Sequence, residues 1–149
     1  MDNRETGLLE IKARIAADRS ALGLATFKRT PTRPAQLDDL PCVFMLEGAD
    51  NIFKRSSRGA LGYPANRSVE VIIELVVNKT VTDIKSVFPE LRKSVFKDRG
   101  SSDPVVYNPR VADNTFIQEN RTEGPIGYGL PDIKVMRLVL DLIYTDGGF

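Results

Sequence analysis

The order of apolar and polar positions divides the chain into helical and extended stretches before any motif is considered. Between Gly7 and Ala21, Leu8, Ile11 and Ile15 recur at spacings of three and four, and Leu22 continues the stripe. Glu10, Lys12, Arg14 and Arg19 lie off it, so the segment predicts an amphipathic helix with Thr6 as N-cap and Gly23 as stop. Leu24 to Lys28 follows as a short strand, and Arg29 to Asp39, with Pro31 and Pro34, reads as a loop. Leu40-Pro41 leads into Cys42-Val43-Phe44-Met45-Leu46, a short apolar run suited to a buried strand. From Gly48 to Asn66 the pattern breaks up around Ser56, Ser57, Gly59, Gly62 and Pro64, which predicts a long loop or a hairpin with an irregular tip.

Ser68 to Val77 carries the clearest strand signal. Val69, Val71, Ile73, Leu75 and Val77 alternate with Glu70, Ile72, Glu74 and Val76, and β-branched residues dominate. Thr82 or Asp83 then caps a second helix with Ile84, Val87, Phe88, Leu91 and Val95 at helical spacing. Pro89 lies inside it and has no N–H, which predicts a kink or break, and Lys97-Asp98-Arg99-Gly100 closes the helix. Val105-Val106-Tyr107 and Asn114 to Asn120 read as strands, and Thr122 to Asp132, rich in glycine and proline, as a second long loop. Ile133 to Tyr144 is a long strand with Met136, Leu138, Leu140, Leu142 and Tyr144 on one face and a mixed, half-covered face behind. The tail from Thr145 to Phe149 is expected to fray. The order of helix, strands, helix and strands predicts one α+β domain over residues 1–149: a mainly antiparallel β-sheet with two α-helices packed on one face.

Composition narrows the chemistry. Twenty-one Lys+Arg against 20 Asp+Glu leave a formal charge of +1, which argues against affinity drawn mainly from nucleic-acid phosphates. Histidine is absent and Cys42 is the single cysteine, so the commonest general base, multi-thiolate metal sites and internal disulfides are all excluded. Asp38-Asp39 and Glu47/Asp50 lack the spacing of a calcium loop and read as solvated acids beside turns. Cys42 has no base to activate it and reads as a small core hydrophobe. Gly124, Gly127 and Gly129 match neither phosphate-binding motif. Glu70 and Glu74 share a strand face about 13 Å apart, too far for a glycosidase pair, and read as an exposed face or intersubunit edge. No enzymatic activity, metal or cofactor is expected. The N-terminus lacks the pattern of a signal peptide, and no apolar run is long enough to span a bilayer, so no membrane partner is expected.

One segment is polarised. Between Asn51 and Arg67 stand Lys54, Arg55, Arg58 and Arg67 and no acid, with Phe53 and Tyr63 as aromatic neighbours. It reads either as a solvated loop tip or as a surface for nucleic acid or an acidic partner. Phe53, Lys54, Arg55, Arg58, Tyr63 and Arg67, with Arg121 and Tyr128 from the later segments, form the candidate contact surface.

The quoted segments Leu40 to Gly48, Arg67 to Val77, Asp83 to Val95 and Val135 to Tyr144, after an N-terminal helix, carry a resemblance over most of the chain. Their order resembles the tail terminator, or tail completion, proteins of tailed bacteriophages. Its most particular features are the Leu-Pro strand entry and the alternating last strand that closes on an aromatic residue. The resemblance implies a structural virion protein, assembled in the host cytoplasm and located at the tail or neck. It implies a homo-hexameric ring at the head-proximal end of the tail tube that stops tube growth and joins the head. The implied partners are other copies of the chain, the tail tube protein, a head-completion or connector protein, the sheath protein of a contractile tail, and DNA passing through the lumen. Pro89 departs from the uninterrupted second helix that the resemblance implies. A head-completion or neck adaptor shares the same size and charge balance, and a small nucleic-acid-binding module is the reading from another class.

Overall fold

The computed structural model describes residues 3–29, 40–55, 65–97, 109–113, 115–127 and 132–146, with the backbone alone at 51–55, 65, 66 and 146. Helix α1 (Asn3–Ala17) and a single turn α2 (Arg19–Leu22) precede strand β1 (Thr26–Arg29). The long strands β2 (Cys42–Arg55) and β3 (Ala65–Asn78) follow, then α3 (Ile84–Val95), the short β4 (Arg110–Ala112), β5 (Thr115–Gly127) and β6 (Ile133–Asp146). The six strands form one sheet in the order β1-β2-β3-β6-β5-β4. Every pairing is antiparallel except β1 with β2.

Alternation decides which side of the sheet is covered. Val69, Val71, Ile73, Leu75 and Val77 of β3 and Leu138, Leu140, Leu142 and Tyr144 of β6 lie on one face and are buried with Leu8, Ile11 and Ile15 of α1 and Phe88, Leu91 and Val95 of α3. Each such aliphatic side chain contributes roughly 1.5–3 kcal/mol on burial, so the two helical stripes are held on the face the sequence assigns them. The fold is therefore α+β with both helices on one side of a mainly antiparallel sheet. A smaller apolar cluster of Cys42, Phe44, Val76, Ile133 and Val135, with Leu40 against it, lies on the other side.

Several boundaries differ from those the sequence predicts. Helix α1 begins at Asn3, ahead of Thr6, and ends at Ala17. Asp18 interrupts it, and Gly23 stops the next turn at φ 70° with its N–H on the Ser20 carbonyl. Helix α3 runs from Ile84 to Val95 through Pro89 without a break. Pro89 and Lys85 are on the exposed side, where water can take the carbonyl that the missing N–H leaves free. Asp83 caps this helix, accepting from the Lys85 N–H at 3.2 Å and from the Ser86 hydroxyl at 2.8 Å. The helix stops before Lys97, which instead reaches Asp18 at 3.3 Å.

Of the two segments without a clear pattern, 48–66 is a hairpin in its described part, the second of its two readings, and 122–132, read as a loop, continues as strand to Gly127. β2 continues through Gly48 to Arg55 and β3 starts at Ala65, with irregularities in register between Glu47 and Asp50 and between Ile52 and Lys54. β5 continues to Gly127 with irregularities between Glu119 and Arg121 and between Glu123 and Ile126. An extra residue at each bulge breaks strict alternation, which is why these stretches do not look like strands in the sequence. Residues 30–39, 56–64, 98–108 and 128–131, with the expected Val105–Tyr107 strand and the first loop's acids, lie outside the described residues.

Candidate contact surface

The backbone register gives the candidate surface its frame. β2 and β3 pair out to Arg55↔Ala65, and Ala65 in turn pairs with Asp146 at the end of β6. The β2–β3 hairpin therefore opens at the end of the sheet where β6 finishes. The β5–β6 hairpin, whose last described pair is Gly127↔Lys134, opens at the other end. From Ile133 to Thr145 β6 takes 12 steps at roughly 3.3 Å, so the described ends of the two hairpins are separated by about 40 Å of strand.

Phe53, Lys54 and Arg55 lie on the outer half of β2, Phe53 being the extra residue of the second bulge, and Arg67 pairs with Ile52 across the hairpin. These four share one hairpin. Arg121 does not join them: it pairs with Val139 on β5, on the side away from the helices, while Arg67 alternates onto the helix side with Tyr144. Of the eight candidates, the two whose side chains are described, Arg67 and Arg121, therefore lie on opposite sides of the sheet. Arg58, Tyr63 and Tyr128 lie outside the described residues.

The base of the hairpin is held by a network the sequence reading does not contain. The Arg29 guanidinium binds both Glu5 carboxylate oxygens, at 2.7 and 3.0 Å, and Glu47 at 2.9 Å. Arg4 reaches Glu47 at 3.0 Å and Asp50 at 3.1 Å. Asp50 also takes the Tyr144 hydroxyl at 2.7 Å and Arg67 at 3.4 Å. The first turn of α1 is thereby tied to β1, β2, β3 and β6 where the apolar core ends. The hydrogen bond from Arg29 holds Glu5 below the usual carboxylate range against the opposing effect of burial. Burial, then the bond to Asp50, pushes the Tyr144 phenol up. The Tyr144 hydroxyl and the Asp50 charge hold the Arg67 guanidinium more firmly protonated. Arg67 thus serves the fold, which leaves Lys54, Arg55 and Arg58 as the other basic residues of the stretch. Glu47 is half-buried and Asp50 exposed, and both are ion-paired within strand β2 rather than standing as free acids beside a turn.

On the side away from the helices, strands β2, β3, β6 and β5 bring side chains into cross-sheet rows. One row is Phe44, Glu74, Arg137 and Glu123, and the next is Leu46, Ile72, Val139 and Arg121. Beyond it Glu70 stands directly opposite Asp141, and Asp141 opposite Gln118. Glu74 and Arg137 meet at 2.8 Å, with Glu74 only 6% exposed, so this acid is a buried paired group and not part of an open face. Phe116, opposite Ile143, is 43% exposed.

No family model matches the chain, and no curated protein matches it. Among solved structures, the chain is similar to one in the "Virion of native gene transfer agent (GTA) particle", with a TM-score of 0.51 and 13% sequence identity. The likeness covers 91% of this chain and 92% of that one. It shows a shared fold over nearly the whole of both chains.

Among the described residues, no group of three or more acidic or cysteine side chains is placed to hold a metal ion. Cys42 is buried in the smaller apolar cluster, as its place in an apolar run predicts. No described helix is long and apolar enough to cross a membrane. What the arrangement offers is a long hairpin at one end of the sheet, a second hairpin at the other, and between them a sheet side that is buried around Val76, Val135 and Val139 and partly exposed around Glu70, Asp141 and Phe116.

Proposed function

We propose that the protein is a structural component of a tailed-phage-like particle, forming a ring on the head-proximal end of the tail tube. In this reading the ring ends tube growth and presents the surface to which the head joins. The observation that carries it is the fold shared, over 91% of this chain, with a chain of a gene transfer agent virion. The hairpins agree with it, because a ring between tube and head needs contacts on two opposed ends and a hairpin opens at each end of the sheet. A heterologous contact repeated around an axis closes into a ring when its rotation allows. The basic stretch with Lys54, Arg55 and Arg58 lies at such a contact, where positive charge gains by facing an acidic surface or the DNA path.

The test is deletion of the gene followed by electron microscopy of the particles. Over-long tail tubes without heads are expected. Tails of normal length beside empty or leaking heads would overturn the terminator role and assign the protein to head completion.

A further inference from the structure

On the side of the sheet away from the helices, the half-buried Glu70 and Asp141 form an electrostatic conflict. Glu70 and Asp141 are direct cross-strand partners, and like charges placed opposite each other destabilise a sheet. The relief each receives is partial. The nearest guanidinium to Glu70 is Arg121 at 4.0 Å, and Arg121 is drawn to Glu123 at 3.4 Å as well. Asp141 accepts from the neutral Asn120 amide at 3.4 and 3.5 Å. The third position of the row is Gln118, again without positive charge. At its β2 end the row meets Gly48, over which the Glu70 side chain lies. A Cβ built there would be 3.1 Å from Glu70 Cβ, so glycine is what lets this carboxylate take its position. Exposed Phe116 and half-buried Ile143, Leu46 and Ile72 flank the acids on either side.

The same chain carries the complement. The stretch 51–67 holds four basic residues and no acid: Arg67, which is taken up by Asp50 and Tyr144, and Lys54, Arg55 and Arg58. This hairpin extends past the first residue of β5, Thr115, which pairs with Tyr144. We propose that the Glu70–Asp141 face receives the basic β2–β3 hairpin of a second copy, so that each subunit gives its hairpin to one neighbour and this face to the other. Different surfaces meet in this contact, which is the heterologous kind that generates rings. The carboxylates repel within one subunit and are neutralised between subunits, with the apolar residues around them excluding water. The proposal rests on the ring reading and specifies where its subunits touch.

The experiment measures mass by light scattering and thermal midpoint for the intact protein and three variants. Glu70→Gln with Asp141→Asn removes the conflict without adding charge. It is expected to keep or raise the thermal midpoint while weakening self-association at least tenfold. Lys54→Glu with Arg55→Glu is expected to weaken association similarly, and Glu70→Lys with Asp141→Lys in that background to restore it. Association of the wild type is expected to weaken as salt rises, by screening. If the neutralised, folded variant assembles like wild type, the proposed contact is wrong while the ring reading stands. If wild type stays monomeric at all concentrations, alone and with tail tubes, both fail. If the hairpin variant assembles normally but loses DNA binding, the hairpin's partner is DNA and the proposal is overturned.

Discussion

Gly7 is a helical glycine that the packing requires. A Cβ at this position would stand 2.6 Å from Thr115 Cγ2 and 2.9 Å from Leu142 Cδ1, and Leu142 is fully buried. The missing side chain lets α1 approach β5 and β6 closely. Helix propensity alone favours Gly7→Ala by about 1 kcal/mol, but overpacking a closed core costs about 1–3 kcal/mol. A net loss of stability is therefore expected, read as a lower denaturation midpoint in urea with an unchanged slope. Tyr144→Phe tests the neighbouring polar layer. It removes the hydroxyl that Asp50 accepts at 2.7 Å and leaves the ring in the core, so a loss of about 1 kcal/mol is expected in the same measurement.

Each element shows why part of the architecture is legible from the chain and part is not. The alternation of Val69 to Val77 and the helical spacing of Ile84, Phe88, Leu91 and Val95 identify the face each buries, because local period and burial coincide there. The outer halves of β2 and β5 carry no such signal. Backbone pairing interrupted by bulges holds them, so Gly48, Gly124 and Pro125 read as loop. The clasp at the hairpin base is equally hidden: Arg29 lies 24 residues from Glu5 and 18 from Glu47, and Tyr144 lies 94 from Asp50. No local spacing announces such pairs, and the basic cluster that does stand out in sequence loses Arg67 to them. Pro89 shows the reverse error, since a strong local rule yields to the amphipathic face around it. Pro89→Ala restores a helix residue worth about 3 kcal/mol while giving back up to about 1 kcal/mol of chain entropy in the unfolded state. A gain of about 2 kcal/mol is expected, seen as a higher thermal midpoint. The clasp of α1 also makes a pH prediction. Glu5 has its carboxyl lowered on folding by the Arg29 hydrogen bond, so its stabilisation is complete above the unfolded value of about 4.3 and is lost as pH falls through the lower folded value. Thermal midpoints followed from pH 7 down to pH 3 should fall in that acid window, and less steeply in Glu5→Gln. An equal slope in the variant would exclude the clasp as its source.

At the scale of the molecule, the helix-covered core occupies only part of the sheet. The inner residues of β2, β3 and β6 bury the helices, from Val43 and Met45 to Val69 and Leu142, whereas the β2–β3 hairpin runs on to Arg55↔Ala65 past the last of that core. The extension is three strands wide, because β3 stays paired with β6 to Ala65↔Asp146, and in the proposed ring its tip meets a neighbour. Replacing residues 56–64 with a two-residue Asn-Gly turn between Arg55 and Ala65 suits the tight hairpin geometry and leaves every described core residue in place. The shortened protein is expected to melt within a few degrees of wild type by circular dichroism, because the buried cluster is untouched. In a complementation assay it is expected to yield few infectious or DNA-transferring particles, because the tip no longer reaches its contact. Full complementation by the folded short form would show that the tip is dispensable and would shift the contacts of the proposed ring onto the β5–β6 end.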